Sequence, residues 1–420
     1  MKNWLTKTVI VLSAVSLLND IAGELLYPVL PLYMASIGYG AIWIGILEGL
    51  AEAIAGLTKG WFGEWSDRRG MRLPFVRFGY LLSAISKPLL ALFASAPWAM
   101  LMRSSDRLGK GIRTGARDAM LADIGGPETR GKIFGFHRAL DTSGAVIGPS
   151  LALAWLFFHK GESYKSLFLY ALIPGLLCVL LLFLIKEKRS QAKVKGLPPS
   201  PLSSFSYWKN SNPAYRKLVA GIVAFTLFNS SDMFLLLMVK FIFLKGITFG
   251  TFQVNSDMLV VGCYIFYNLI YSAFSYPAGF FSDKFGPKRM LLIGYFCFAL
   301  AYGGMAIASA GYFSNLFFVL GCFVIYGIYS ACTEGISKAW VSVLCKKEEK
   351  GIALGFFAGM MSISTLIASV MAGLIWTFTS PLFVFLLASL MAVVTIFYLI
   401  FAVKSPKKII YSDIIPEENE

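Results

Sequence analysis

Twelve apolar runs, each close to the length that crosses a lipid bilayer, dominate this chain of 420 residues. A membrane-spanning helix needs about 20 mostly apolar residues, because it rises about 1.5 Å per residue. The composition agrees, since 57% of the residues are hydrophobic and 15% are charged, against about 25% charged in soluble domains. The runs cover residues 8–33, 41–62, 73–95, 98–122, 131–158, 166–185, 217–244, 256–281, 289–309, 313–343, 352–378 and 381–403. We therefore expect an all-α membrane protein with twelve transmembrane helices.

A polar segment at residues 187–214 separates the first six runs from the last six. It is rich in Lys, Ser and Pro, including Pro198, Pro199 and Pro201, and this composition favours an extended linker. We predict an N-terminal six-helix bundle at residues 1–186 and a C-terminal six-helix bundle at residues 215–404. A polar tail follows at residues 405–420.

Positive charge in the connecting loops predicts the orientation, because loops rich in Lys and Arg stay on the cytoplasmic side. One set of alternate connections carries most of the loop cations, including Arg68 and Arg72, and shares its side with both termini and the linker. The other set carries only Lys160, Lys165 and Lys245. We expect a multi-pass protein of the cell (inner) membrane with both termini cytoplasmic. These loop cations account for the net charge of +15, so we expect no nucleic-acid partner.

Two short patterns each occur once per half. The second run ends in Gly63-Glu-Trp-Ser-Asp67-Arg68-Arg69-Gly70-Met-Arg72, and the eighth in Gly279-Phe-Phe-Ser-Asp283-Lys284-Phe-Gly286-Pro-Lys288. The fifth run begins Arg130-Gly131-Lys-Ile-Phe-Gly135, and the eleventh begins Lys350-Gly351-Ile-Ala-Leu-Gly355. The two offsets along the chain are nearly equal, and internal duplication of this kind is typical of transporter folds.

The repeated loop resembles the signature G-x-x-x-D-R/K-x-G-R/K-R/K of the major facilitator superfamily. The resemblance covers essentially residues 8–403 and implies two pseudo-symmetric bundles that move a small solute by alternating access. It also implies that Asp67 latches the cytoplasmic face by pairing with basic residues or with a helix N-terminus. The predicted cytoplasmic gate comprises Gly63, Asp67, Arg68, Gly70, Arg72, Arg117, Asp118, Gly279, Asp283 and Lys284.

Two weaker patterns of the same family fall in spans 4 and 5. Residues 107–111 resemble R-x-x-Q-G, with Lys110 in place of Gln. Gly144, Gly148 and Pro149 match the start of G-x-x-x-G-P-x-x-G-G, but Ala and Leu replace the closing Gly pair. In the family the second pattern accompanies exporters and antiporters, and this departure weakens that implication here.

Many ionisable residues lie inside the predicted spans, where a charge at the centre costs about 2.5–3.5 kcal/mol. On span 4, residues 103, 106, 107, 110, 113 and 117 fall within an arc of about 120° at about 100° per residue. Such side chains must pair, face a wet cavity or extend to the interface. The predicted cavity and proton-coupling residues are Asp20, Glu24, Glu48, Glu52, Arg103, Arg107, Lys110, Arg113, Arg138, Asp141, Asp232, Glu334 and Lys338.

The N-terminal half carries most of these charges, so we expect the coupling chemistry there. Arg107 lies at a depth similar to that of Asp20, Glu24 and Glu52, and we expect it to pair with one of them in one conformational state only. A carboxylate that loses its cation takes up a proton. A permanent salt-bridge network that holds spans 1, 2, 4 and 5 together fits the pattern equally. In the C-terminal half, aromatic residues such as Tyr264 supply a cavity wall or plain helix packing.

These features indicate a secondary active transporter, coupled to protons, that favours efflux of an anionic or amphiphilic solute. Span 4 carries five bases against Asp106 and Asp118, which favours the anionic character. The alternatives are uptake of a carboxylate-bearing nutrient or metal chelate, and a non-transporting sensor or lipid scramblase. We expect no enzymatic activity, cofactor or metal, and a monomer whose partners are the solute, the proton and the bilayer.

Overall fold

The computed structural model describes residues 5–124, 130–159, 164–186, 207–249, 252–345 and 350–403. The helices are α1 (Lys7–Glu24), α2 (Leu30–Ser36), α3 (Ala41–Arg69), α4 (Leu73–Leu89), α5 (Ala96–Ile124), α6 (Arg130–Phe158), α7 (Lys165–Tyr170), α8 (Leu172–Leu181), α9 (Tyr207–Asn210), α10 (Pro213–Thr226), α11 (Met233–Ile242), α12 (Ser256–Phe285), α13 (Pro287–Ser309), α14 (Leu316–Val343), α15 (Lys350–Phe378) and α16 (Pro381–Ala402). A 3₁₀ turn (Leu182–Leu184) extends α8. Residues 187–206 of the predicted linker and the predicted tail lie outside the described residues.

A β-hairpin that the sequence analysis does not predict joins α11 to α12. Strands β1 (Ile247–Phe249) and β2 (Phe252–Val254) pair antiparallel, with Ile247 opposite Val254. Gly246 precedes β1 with φ 71°, a left-handed conformation that glycine adopts without a steric penalty.

The described helices assemble into the twelve predicted spans, which confirms the expected fold class. Eight spans are long and apolar enough to cross a membrane by length and composition alone. The other four are the pair α1–α2, the 17-residue α4, the charge-rich α5 and the pair α10–α11. Helix α5 has 29 residues and is long enough to cross a membrane. Its charged stripe, and not its length, distinguishes it from the eight apolar spans.

Spans 1 and 7 are broken near their middle, whereas the sequence analysis predicted continuous runs at 8–33 and 217–244. Residues 25–29 separate α1 from α2 and include Pro28, which lacks a backbone donor. Residues 227–232 separate α10 from α11 and end in Asn-Ser-Ser-Asp, whose side chains compete for backbone hydrogen bonds. Each break falls in the first span of its half, and discontinuous spans of this kind occur in repeat-built transporter folds.

Each half is a helical bundle, and two helix pairs make most of the contact between the bundles. In the N-terminal half, α1 packs on α6, and α5 packs on α3 and α4. In the C-terminal half, α13 packs on α14 and α16, and α12 packs on α14. Helix α3 packs on α15, and α6 packs on α12, across the boundary between the halves. The space between the halves therefore has walls from both.

The halves touch on one side of the bundle and separate toward the other. We call the side where α3 ends, at Arg69, the basic side, and the other the opposite side. A Cβ built on Gly45, near the opposite side, would lie 2.1 Å from the carbonyl oxygen of Ser369 on α15. Gly60 lies four residues beyond Gly56, toward the basic side. A Cβ built on Gly60 would meet nothing within 4 Å. Helices α3 and α15 thus diverge as they approach the basic side.

Candidate functional site

Four ionic side chains form a buried network within the N-terminal half. Arg103 Nε lies 2.6 Å from Glu48 Oε1, and Arg103 Nη1 lies 3.6 Å from Asp106 Oδ2. Lys87 Nζ lies 3.0 Å from Asp106 Oδ1. The Glu48 side chain is 1% exposed, so its charge depends on Arg103 for compensation. The network ties α3, α4 and α5 together.

Arg107 forms a separate ion pair that faces the space between the halves. Its Nη2 lies 3.4 Å from Glu52 Oε1, and the Glu52 side chain is 41% exposed. An accessible pair of this kind costs less to break than a buried one, because water replaces the lost partner. The charges predicted as one group therefore divide into a buried set around Glu48 and an accessible set around Glu52.

Most of the positive charge predicted on span 4 is matched within the same half. Arg103 and Arg107 have carboxylate partners, and Arg113 donates to Ser83 Oγ at 2.7 Å. Arg113 keeps its positive charge, because a serine hydroxyl is neutral, but its side chain is buried. Lys110 is the exposed base of α5 that forms no ion pair in the described ranges.

Two further lysines, Lys59 on α3 and Lys338 on α14, are also exposed and form no ion pair within the described part of the chain. Lys59 is close enough to Lys338, Arg117 and Arg138 to interact with them electrostatically. Cations from four helices therefore converge between the halves on the basic side.

The breaks in spans 1 and 7 meet each other. Tyr27, between α1 and α2, lies with its hydroxyl 3.4 Å from Ser231 Oγ, between α10 and α11. The Arg103 guanidinium lies over the Tyr27 ring, 5.4 Å from its centroid, at a favourable cation–π distance. Tyr264 on α12 donates to Glu24 Oε2 at 2.7 Å. These contacts connect the buried ionic network to the C-terminal half.

The carboxylates of the C-terminal half are held by tyrosines. Tyr326 donates to Asp232 Oδ1 at 2.5 Å, and Tyr271 donates to Glu334 Oε2 at 2.9 Å. Tyr267 lies between these tyrosines, with ring centroids 5.2 Å from Tyr326 and 6.2 Å from Tyr271. The predicted aromatic residues of this half therefore orient two carboxylates as well as pack.

A cavity of about 1230 Å³ opens between the halves on the basic side. Its walls come from α6, α12 and α14 and include Arg138, Thr142, Tyr271 and Ser275. Glycines on three walls face open space, since a Cβ on Gly135, Gly279 or Gly335 would meet nothing within 4 Å. The cavity is large enough for a drug-sized molecule, for which pockets of about 300–1,000 Å³ are typical.

On the opposite side a polar contact joins the halves, and an ion pair within the C-terminal half supports it. The Tyr164 hydroxyl, before α7, donates to Asp257 Oδ2 on α12, and Lys240 Nζ on α11 lies 3.1 Å from Asp257 Oδ1. Burial and the Asp257 carboxylate raise the pKa of Tyr164, so its hydroxyl keeps the proton that it donates. The described structure is thus closed on the opposite side and open on the basic side.

The repeated loop after α3 forms ion pairs within the N-terminal half. Arg72 Nη2 lies 2.7 Å from Asp67 Oδ1, and Arg72 also pairs with Asp123 at the end of α5. Gly70 ends α3 with φ 64°, which only glycine adopts readily. Among the contacts described for Asp67, none reaches the C-terminal half, as fits a structure that is open on this side. The role of the loop as a gate stays a prediction.

The other predicted gate residues lie near the basic side. Gly63 packs on Gly115 of α5, and Arg68 pairs with Glu64 at 2.7 Å. Arg117 Nη2 lies 2.9 Å from Asp118 Oδ1. In the second copy of the loop, the Lys284 ammonium lies 5.4 Å from the Phe285 ring centroid. The Asp283 side chain lies outside the described residues.

The span-5 glycines bring α6 into backbone contact with α1. A Cβ on Gly144 would lie 2.8 Å from Asp20 Cβ, and one on Gly148 would lie 2.7 Å from the Leu25 nitrogen. Small residues one turn apart allow such close packing within a membrane. The predicted motif therefore places α6 beside the break in span 1, next to Pro28.

Several residues at this site were not singled out from the sequence. Asp257 follows Asn255, which caps α12, so it has the pattern of an ordinary helix start. Tyr27 and Tyr164 are single aromatic residues in interrupted segments, and no sequence pattern marks their partners. Lys240 did carry a signal, because a lysine inside an apolar run needs a partner.

The comparisons with known proteins agree with this geometry. The family model described as Major Facilitator Superfamily matches residues 12–266 and 252–413. An uncharacterized MFS-type transporter of Methanocaldococcus jannaschii is 36% identical over 399 residues, covering 94% of this chain and 95% of that protein. The tetracycline resistance protein, class B, of Escherichia coli is 25% identical over 385 residues, covering 88% of each. Among solved structures, the nucleoside transporter NupG has a TM-score of 0.76 at 15% identity, covering 95% of this chain and 100% of that one.

Proposed function

Because the chain belongs to the major facilitator superfamily, we propose that it moves a small organic solute by alternating access, driven by the proton gradient, and that it exports the solute. The observation that carries the proposal is the cavity of about 1230 Å³ between the halves, which the Tyr164–Asp257 contact closes on the opposite side. A space between two bundles that is open at one end only is what a carrier presents in one of its two states.

The orientation belongs to the same proposal. The basic side is cytoplasmic, because loop cations are retained there, and the described conformation then faces the cytoplasm. The protein works in the cell membrane as a monomer of two bundles, residues 1–186 and 215–404, joined by a cytoplasmic linker.

The cations on the basic side favour an anionic or zwitterionic amphiphile as the solute. Arg138 lines the cavity itself. Lys59, Lys110 and Lys338 are accessible cations without a carboxylate partner in the described structure, and an anionic group would supply one. Tyr271, which lines the cavity and stacks on the buried Tyr267 with ring centroids 6.2 Å apart, offers aromatic surface there.

Two observations support export. The first is the likeness to the class B tetracycline resistance protein over 88% of the chain. The second is the partial exporter motif, whose Gly144 and Gly148 both pack on α1. Uptake of a carboxylate-bearing nutrient or metal chelate is the second candidate, and the unpartnered Lys110 favours it as well.

A transport test with two probes separates these candidates. We expect cells that lack their main efflux pumps and express the wild-type chain to accumulate less tetracycline, a zwitterion, than cells with an empty vector. Lys110→Gln should reduce this effect about tenfold, the size expected when a charge-assisted contact worth about 1.5 kcal/mol is lost. Lys165→Gln, on the opposite side, is the matched control. Ethidium, a cation, probes the charge preference.

The outcomes distinguish the alternatives. Export of ethidium but not of tetracycline would contradict the anionic preference. Higher accumulation of a carboxylate solute in the expressing cells would replace export with uptake. Solute binding to the purified protein without gradient-driven flux in proteoliposomes would indicate the non-transporting sensor.

A further inference from the structure

The break in span 7 leaves backbone oxygen atoms without partners inside a transmembrane span. Residues 227–232 join α10 to α11, and the carbonyl oxygens of residues 227–230 accept no hydrogen bond from the described residues. They lie at the C-terminal end of α10, where the helix dipole is negative. Carbonyl groups without donors are costly within a membrane unless water or a ligand satisfies them. The break therefore offers several oxygen ligands, and its sequence contains no base.

Asp232, at the end of the break, adds a carboxylate whose charge no base balances. It takes part in none of the ion pairs within the described ranges. Although Asp232 precedes α11, its side chain does not cap that helix, and it accepts a hydrogen bond from Tyr326 at 2.5 Å instead. A neutral hydroxyl group lowers the cost of burying a carboxylate but leaves its charge uncompensated. One monovalent cation would make this site neutral.

Asn229, three residues before Asp232, faces the same part of α14. Its amide nitrogen donates to Tyr329 Oη at 2.9 Å, and the ring centroids of Tyr329 and Tyr326 lie 5.3 Å apart. The Asn229 Oδ1 atom is buried and has no hydrogen-bond partner in the part of the chain that the structure describes. The same holds for Ser230 Oγ, whose residue is 5% exposed. Buried oxygen atoms without a donor indicate a site for water or a cation.

We propose that the break in span 7 binds a sodium ion through the Asp232 carboxylate, Asn229 Oδ1 and the unpaired carbonyl oxygens of residues 227–230. Hard cations prefer oxygen ligands of this kind. The unwound segments of discontinuous transmembrane helices supply them in other transporter folds. The charge balance favours a monovalent ion over a divalent one, because the break contains a single carboxylate. The site is independent of the solute, of the coupling proton and of the direction of transport.

The position of the break gives a bound ion a consequence for the contact between the halves. Ser231, in the same segment, lies with its Oγ 3.4 Å from the Tyr27 hydroxyl of the N-terminal half. Its backbone nitrogen donates to Ser369 Oγ on α15 at 3.2 Å. A cation that fixes residues 229–232 therefore also fixes the contacts of Ser231 with α15 and with the break in span 1.

Equilibrium binding of radioactive sodium to the purified full-length protein, with choline chloride as the balancing salt at mildly alkaline pH, tests the site without any solute. We expect saturable binding in the wild type and its loss in Asp232→Asn. Asn229→Ala keeps the carboxylate but removes one oxygen ligand, so it should weaken sodium affinity about tenfold, as expected for one contact to a charged group. Glu334→Gln is the matched control and should keep binding, because Glu334 also accepts a hydrogen bond from a tyrosine but lies within the continuous helix α14.

Thermal unfolding separates a bound ion from a general effect of salt. Sodium chloride should raise the melting temperature of the wild type above its value in an equal concentration of choline chloride, and Asp232→Asn should lose this difference. No saturable sodium binding in the wild type, equal melting temperatures in the two salts, or equal losses of binding in Asp232→Asn and Glu334→Gln would overturn the sodium site. If Asp232→Asn does not fold, wild-type sodium affinity in Asn229→Ala would overturn the placement of the ion at the break.

Discussion

At the scale of single residues, the charges inside this membrane protein differ in what they can do because they differ in exposure. Glu48 and Arg103 are nearly inaccessible to solvent and satisfy each other through two hydrogen bonds, at 2.6 and 3.2 Å. Glu52 lies four residues beyond Glu48, but its side chain is 41% exposed. Helical periodicity groups the two acids on one face, while only the surrounding helices decide that one is structural and the other accessible.

Replacing Glu48 should therefore destabilise the fold strongly. We expect Glu48→Gln to remove the nearer of the two carboxylates that compensate the buried Arg103 and to cost about 3–5 kcal/mol of unfolding free energy. Thermal unfolding of the detergent-purified protein would measure the loss. The control is Glu64→Gln, which breaks the exposed pair with Arg68 and should cost about 1 kcal/mol or less. Equal losses in the two variants would refute the distinction between buried and accessible charges.

At the scale of helices, the α1–α6 contact depends on glycines whose neighbours are backbone atoms. Backbone cannot move aside as a flexible side chain can, so an added methyl group must push the two helices apart. The contact of Gly148 with α1 lies beside the break in span 1. The packing of this pair of helices and the shape of the site are consequently set together.

Two alanine substitutions on the same helix separate packing from helix propensity. We expect Gly148→Ala to destabilise the protein by about 1–3 kcal/mol, because the new Cβ would overlap the backbone of α1. Gly135→Ala, where a Cβ meets nothing within 4 Å, should be neutral or stabilising by up to about 1 kcal/mol. The change in melting temperature of each variant shows whether the substitution stabilises or destabilises the protein. A Gly148→Ala protein as stable as the wild type would show that the helices do not pack this closely.

At the scale of the whole molecule, the described structure is one of two states that a carrier must visit. On the opposite side the halves are held by the close packing of α3 on α15 and by a hydrogen bond between polar side chains. The hydrogen bond that Tyr164 donates to Asp257 joins the N-terminal half to the C-terminal half. Lys240 forms an ion pair with Asp257 within the C-terminal half.

Removing the Tyr164 hydroxyl should shift the population toward opening on the opposite side. With spin labels at Tyr39 and Lys245, we expect Tyr164→Phe to increase the long-distance fraction in electron paramagnetic resonance about fivefold, for a lost hydrogen bond of about 1 kcal/mol. Tyr170→Phe, an exposed tyrosine on α7, is the control and should leave the distances unchanged. Identical distributions in the wild type and Tyr164→Phe would show that this contact does not hold the closed state.

The number of spans, their division into six and six, and the duplication of the Asp67 loop all follow from the sequence. They depend on run length, loop charge and local repetition, which a chain carries irrespective of how its helices pack. The charged stripe of α5 is equally local, since 3.6-residue periodicity determines which side chains share a face. For the same reason, the Arg138–Asp141 pair, one turn apart, is visible in the sequence.

The tertiary structure decides the partner of each charge, because partners come from helices far apart in the chain. The sequence places Asp20 near Glu24 and Arg107 in depth, but helix packing brings it against Gly144 of α6, and brings Glu24 against Tyr264. The breaks at residues 25–29 and 227–232 likewise meet only in the folded molecule. Pairing across 100 or 200 residues depends on which helix faces turn toward each other, and periodicity within one helix carries no information about that.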